Sequence, residues 1–421
     1  MDGSTSRRYD LDALRVLAVL LLIPFHSARA FDSFETFYVK NGQTSEGLSW
    51  AVVQFLNPWH MPLLFVLAGA ATWLAMRHRS AGQYRTERAK RLLIPFLFGV
   101  LVIVPPQAFL ALLHRGRDVA VGPFLADYWT VEGDFSGYTG SFTPAHLWFI
   151  MFLFVFSLVA LPLFRRWRGR EVHARWLLFA MPVILMLSND LPSPNDGPQN
   201  PFYALALFVG GYLLMADPRA ERAIHRHWRS LLVVAVGTMT TVMWIWITGT
   251  DRTWVDGSLA DSSFALLRQV NAWVWVLALV GAGHAFLRRP IRGLAYASEA
   301  SYPAYLLHQT VIVAVAFFVV DLNLGLWPKY ALVATLSLAL TLAVYEVAVR
   351  RTNITRFLFG MKPLRRAASG EQLEPASRKR PEDVEVAAIQ GEHLAGPVAI
   401  GEDHNGRVRN ADGLVAVPSD H

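Results

Sequence analysis

Apolar runs of about membrane length alternate with short polar loops along this chain. Their spacing predicts helices over 10–31, 52–76, 92–113, 146–164, 176–187, 201–215, 230–248, 264–287, 302–320 and 330–349. The intervening segments differ in kind. Residues 32–49 form a polar loop, 77–91 a strongly basic one, and 114–145 a long loop too polar to cross a bilayer. Residues 165–175 are again basic, and 189–200 are rich in Pro and Asn. The predicted fold class is therefore all-α, a polytopic transmembrane helical bundle of about ten spans. It occupies 9–360, and 361–421 is expected to be a disordered cytoplasmic tail rich in Glu, Ala, Arg, Gly and Pro. Arg378-Lys379-Arg380 in that tail is either a solvated charge run or a contact for anionic lipid.

The first apolar run breaks its own pattern. Asp12, Arg15 and His26 interrupt an otherwise hydrophobic stretch. On a helix, the eleven steps from Arg15 to His26 leave the two only about 20° out of line and roughly 16 Å apart along the axis. Asp12 shares the Arg15 flank. Ionisable groups at membrane depth are costly, so they face a bundle interior or a watery cavity and mark a working site. The bland alternative is a snorkelling arginine with an interfacial histidine. Arg7-Arg8 ahead of this run, with Ala28-Arg29-Ala30 after it, also matches a twin-arginine export signal. The charges inside the run and the spans that follow favour a retained first span.

Composition agrees with a membrane class. The 421 residues are 53% hydrophobic and 17% charged. With no cysteine, disulfides, thiolate metal sites and a Cys nucleophile are excluded. The net charge of +7 does not point to nucleic acid, because the basic residues sit in short loops between spans. Those after the even-numbered spans hold most of the Lys and Arg. The loops after the odd spans hold only Arg29, Lys40, Arg115, Arg117, Arg252 and Lys329. Both termini are thus expected to be cytoplasmic, with Arg15 in the inner half of the bilayer and His26 in the outer half.

Candidate chemistry falls at the two ends. Arg85, Arg88 and Arg91 recur at three-residue spacing and, if helical, share a face able to grip phosphates. Ordinary positive-inside charge explains the arginines but not the spacing. At the other end, His26, His60 and His146 sit at span ends. They could hold zinc, although no metal-type spacing or neighbouring carboxylate accompanies them; interfacial His packed by Trp59 and Trp148 is the alternative. Ser301, Tyr305 and His308 share one face of a later span, as a cavity lining or as a polar seam between helices. Arg268 is a candidate substrate contact, and Glu346 a candidate for structural pairing.

Together these residues resemble the acyltransferase 3 family of membrane acyltransferases. The resemblance rests on Tyr9-Asp10-Leu11-Asp12-Ala13-Leu14-Arg15 with His26 following, and on Arg88-Ala89-Lys90-Arg91 as the family's RxxR motif. His60-Met61-Pro62-Leu63-Leu64-Phe65 and His146-Leu147-Trp148-Phe149 are similar to the branch of periplasmic glucan succinyltransferases. The stretch from Ser301 to His308 is also family-like; Ala13 stands where many members have Gly. The resemblance implies an O-acyltransferase of the inner (plasma) membrane. It would move an acetyl- or succinyl-class group from cytoplasmic acyl-CoA to a hydroxyl of an envelope carbohydrate or glycolipid, with membrane lipids around it and no metal. It further implies CoA phosphates at Arg88 and Arg91, Arg85 beside them, and Arg15 with Asp12 deeper. His26 would be general base, its ordinary pKa of about 6.5 suiting that task. His60, His146, Trp148, Arg268, Tyr305 and His308 would line the substrate side. No SGNH hydrolase domain is appended, so transfer is expected to finish within the membrane domain or on a separate partner. The alternatives from other classes are a transporter or flippase of an envelope glycan or lipid-linked precursor, and a non-catalytic scaffold. Against transport, there is no internal repeat and no pair of Gly/Pro-broken spans in matching halves. Against the scaffold stands the expense of Asp12, Arg15 and His26 at membrane depth.

Overall fold

Proline and short polar side chains decide where each helix starts, bends and stops. The computed structural model describes residues 7–34, 36–131 and 136–364, and two short strands further on. Eleven apolar helices and one short terminal helix are labelled in order within the unit ending at Leu364, besides Glu46–Leu48 running into the π-type turn Ser49–Gln54 and the short helix Val121–Asp127. They are α1 (Tyr9–Arg29), α2 (His60–Arg77), α3 (Ala81–His114), α4 (Ala145–Val159), α5 (Leu161–Trp167) and α6 (Leu177–Asn189). Then come α7 (Pro201–Ala216), α8 (Pro218–Thr248), α9 (Leu259–Phe286), α10 (Leu294–Val319), α11 (Leu326–Val349) and α12 (Asn353–Leu358). In the second unit, Arg409–Asn410 pairs antiparallel with Gly413–Leu414. The expected tail beyond residue 364, Arg378-Lys379-Arg380 included, otherwise lies outside the described residues.

Several boundaries differ from expectation for local reasons. A reciprocal cap between Ser80 and Gln83 starts α3 at Ala81, so the basic stretch expected as a loop is largely helical. Within α3, wide π-type turns cover Ala89–Leu93 and Gly99–Ile103. Each lies just before a proline, Pro95 or Pro105, whose missing N–H cannot close the regular ladder. Pro162 likewise bends α4 from α5 by 52°, breaking the expected fourth span. Asn200 accepts the Phe202 and Tyr203 N–H groups and starts α7 at Pro201. Asp217 ends α7 and caps α8 through the Arg219 N–H.

Seven helices are long and apolar enough to cross a membrane, or eight with the bent α4–α5 pair as one span. The expected fifth and sixth spans are α6 and α7, of 13 and 16 residues. At 1.5 Å per residue these reach about 20 and 24 Å, short of a hydrocarbon core of about 30 Å. The count of ten is therefore not reached by length and composition. The multi-pass, all-helical architecture is.

Packing places α1 centrally, against α9, α10 and α11. Helices α8 and α9 pair extensively, as do α2 and α7. The α2–α7 contact is backbone on backbone. A Cβ on Gly69 would lie 2.0 Å from the Phe208 carbonyl oxygen, and one on Gly211 2.2 Å from that of Val66. Small residues permit such approach in membrane helices. Gly237 on α8 has nothing within 4 Å of its Cβ position.

This contrast sets a test by thermal unfolding in detergent. Gly69→Ala and Gly211→Ala should each destabilise by about 1–3 kcal/mol, because backbone must move. Gly237→Ala should be neutral or stabilising by up to about 1 kcal/mol. Similar shifts in all three variants would contradict the close-approach account.

Candidate active site

Two groups of polar side chains line the contact between α1 and α10. At one end the Arg15 guanidinium donates to Ser298 Oγ at 2.7 Å and to Asp12 Oδ1 at 3.1 Å. Asp12 also pairs with Arg7 at 2.8 Å. At the other end the His26 and His308 rings are 5.1 Å apart. Arg15 and His26 are eleven residues apart on α1, and Ser298 and His308 are ten apart on α10. Nearly equal steps in the same direction mean parallel helices, with Arg15 and His26 both turned toward α10. This arrangement is the alignment predicted from spacing alone.

The imidazole end is assembled from four elements. His146 enters at the first turn of α4 and stands 4.9 Å from His308, ring to ring. Its position follows a strained residue: Ala145 has φ +44°, and its N–H donates to Thr143 Oγ1 at 2.8 Å. His60, at the start of α2, sits 2.6 Å from the Ala18 carbonyl through Nε2. It stacks on Phe25 at 6.4 Å, beside His26. Tyr305 donates its hydroxyl to the His146 carbonyl.

Carbonyl partners assign the ring protons, because a carbonyl only accepts. His308 Nδ1 lies 2.6 Å from the Tyr305 carbonyl and must carry a proton, which leaves Nε2 bare in the neutral ring. His146 Nε2 lies 3.0 Å from the Leu306 carbonyl, which leaves Nδ1 bare. Both bare nitrogens, and His26 Nδ1, are buried without a hydrogen-bond partner. Adjacent imidazole nitrogens with free lone pairs can take and pass a proton. Among the described residues no group of three His, Cys, Asp or Glu is arranged to hold a metal ion.

The basic end is shaped by the π-type turn in α3. It opens just after Arg88 and contains Arg91, so the three arginines do not continue along one face. Arg88 turns to Thr72 Oγ1 at 3.3 Å and lies over the Tyr84 ring at 4.7 Å. Arg91 pairs with Glu87 at 3.1 Å and borders an open cavity of about 720 Å³. Arg85 is exposed and does not line that cavity.

Thus His26, His60, His146, Tyr305 and His308 converge, and Asp12 pairs with Arg15, whereas Arg88 turns to Thr72 and Arg91 to Glu87. Trp148 does not join the histidines; it packs on Phe65 and Phe152. Arg268 does not either: it is exposed, its guanidinium 5.6 Å over Phe264. Glu346 pairs with Arg350 at 3.1 Å, the structural role expected of it. Three features escaped the sequence reading. Ser298 extends the Ser301-Tyr305-His308 stripe back by one turn, and Tyr302 lies inside it three residues before Tyr305; continuing the period would have found both. The Tyr302 hydroxyl is buried without a partner. Trp59 stacks on Trp275 at 5.7 Å, and both indole N–H groups are buried and unpartnered. No sequence spacing relates those two.

Comparison with known proteins bears on this arrangement. A family model described as an acyltransferase domain matches residues 8–346. Glucans biosynthesis protein C of Escherichia coli strain K12 is 20% identical over 385 residues, covering 85% of this chain and 95% of that protein. The proteins of the same name from strains SMS-3-5 and O9:H4 match over the same extent at the same identity. No solved structure matches the chain. The matched region contains α1 and α10 whole, with Arg15, Arg88, Arg91 and the four clustered histidines inside it, and the chain belongs to the acyltransferase 3 family of membrane acyltransferases.

Proposed function

We propose that this protein transfers an acyl group of acetyl or succinyl class from cytoplasmic acyl-CoA to a hydroxyl of an envelope carbohydrate or glycolipid. The single observation that carries this reading is the α1–α10 seam, with a guanidinium at one end and clustered imidazoles at the other. The E. coli relatives are named for glucan biosynthesis, which supports a carbohydrate acceptor. The loop-charge asymmetry supports cytoplasmic termini in an inner-membrane protein, with α6 and α7 crossing a locally thinned bilayer.

In this reading Arg88 and Arg91 hold donor phosphates, and Arg15 guides the thin pantetheine arm along α1. The roughly 16 Å between Arg15 and His26 covers about half the hydrocarbon core, so donor and acceptor meet inside it. His26 takes the proton of the acceptor hydroxyl as its oxygen attacks the thioester carbonyl. The tetrahedral oxyanion collapses, the carbon–sulfur bond breaks, and the new ester leaves. The CoA thiolate then recovers the proton from the imidazolium. His308, whose bare Nε2 belongs to the same cluster, helps hold that proton. The unpartnered indole N–H of Trp59 is a candidate donor to the oxyanion.

Two outcomes test the assignment with radiolabelled acetyl-CoA or succinyl-CoA and envelope glycans. His26→Ala should lower transfer by about 10²–10⁴-fold while the protein still inserts into membranes. Transfer at the wild-type rate would eliminate His26 as base. The double variant Arg88→Ala, Arg91→Ala should raise the donor KM at least about tenfold, with a smaller effect on the acceptor KM. An unchanged donor KM would remove the phosphate role. Glycan that crosses a vesicle unmodified would instead favour the transporter.

A further inference from the structure

A second group of titratable side chains lies apart from the site, where the start of α1 meets α8 and the end of α9. The His225 ring of α8 and the His284 ring of α9 stack face to face, with centroids 3.3 Å apart and planes 7° from parallel. His284 Nδ1 lies 3.3 Å from Asp10 Oδ2. Arg8 bridges the helices, pairing with Asp10 at 2.9 Å and with Glu221 of α8 at 2.7 Å. His225 Nε2 lies 4.0 Å from Glu221 and is buried without a hydrogen-bond partner.

The charges facing the two rings come from α1, α8 and the end of α9. Arg8 and Arg288, just beyond α9, are positive; Asp10 and Glu221 are negative. A cavity of about 30 Å³ borders His225, Arg8 and Glu221, and its α2 and α7 walls are apolar. That volume admits about one water, a route for a proton to the ring.

One proton suits this stack and two do not. A carboxylate only accepts, so His284 Nδ1 carries a proton toward Asp10. A further charge on His225 would set two imidazolium faces 3.3 Å apart in a half-buried place that screens them poorly. The rings must part to take it. Parting moves α8 from α9 and, through Arg8, pulls on Asp10, five residues before Arg15.

We propose that the His225–His284 stack is a proton-operated latch between α8 and α9, closed near neutral pH and opened by acid, which sets how firmly α1 presents Arg15. The chain has no cysteine, so Arg222→Cys with Ala285→Cys gives one pair of spin labels at exposed positions of α8 and α9. Pulsed electron spin resonance of the full-length protein in detergent should show one distance at pH 8 and a second, longer one in acid. The ratio of open to closed should rise about tenfold per pH unit below about 6.5. His225→Phe keeps a ring in the stack, cannot take the proton, and should stay closed throughout. A single unchanged distance from pH 8 to pH 5, or the same opening in His225→Phe, would overturn the latch. This readout needs no acyl transfer, so it is independent of that reading. In a transfer assay, His225→Phe should match wild type at pH 8 and lose about tenfold less of its rate at pH 5.5. Equal loss in both would overturn the link to Arg15.

Discussion

The parallel contact of α1 with α10 is the constraint on which the rest depends. Two polar links, Arg15 to Ser298 and His26 beside His308, join the same pair of helices about three turns apart. A guanidinium inside an apolar helix is expensive to desolvate, and Asp12 and Ser298 offset that cost locally. Because both links lie on the same face of α1, a rotation of α1 would break both together. The remaining helices are arranged around this seam. Helices α9 and α11 pack on α1, and α3 packs on α10.

Unpaired buried polar atoms gather in this region, although others lie along the bundle at His225, Ser337, Thr341 and Tyr345. A buried polar atom without a hydrogen-bond partner costs about 1–3 kcal/mol. The fold carries several in one neighbourhood: His26, His146 and His308 each leave a ring nitrogen unpaired, and Trp59 and Trp275 each an indole N–H. A purely structural core would have matched donors to acceptors. Free lone pairs beside free donors are what a transferring site requires, since the proton-accepting and charge-stabilising groups must be open to substrate.

Broken helices do the positioning. The π-type turns of α3 sit just before Pro95 and Pro105, and the first opens after Arg88 and holds Arg91. The strained Ala145 opens α4 and aims His146 at α10. Two of these irregularities, the first π-type turn and Ala145, fall where a candidate side chain, Arg91 or His146, leaves its helix, as expected when backbone strain is retained for a site.

Much of this was legible in the order of residues. Apolar run length determined the helical class and most helix positions, since every backbone polar group in a bilayer must be satisfied within its own helix. Helical periodicity placed Arg15 and His26 on one face, and Tyr305 with His308 on another, because a 3.6-residue repeat needs no knowledge of neighbours. Pairing between distant segments is different. That His26 meets His308 and His146, and that Trp59 meets Trp275, follows from how helices pack, which no local spacing encodes. The same limit explains the errors. Arg85, Trp148 and Arg268 had the right chemistry for the site, but a π-type turn moved the RxxR register, and packing of α4 and α9 turned the other two elsewhere. Local sequence determined which side chains could serve; only the tertiary arrangement decided which of them face one another.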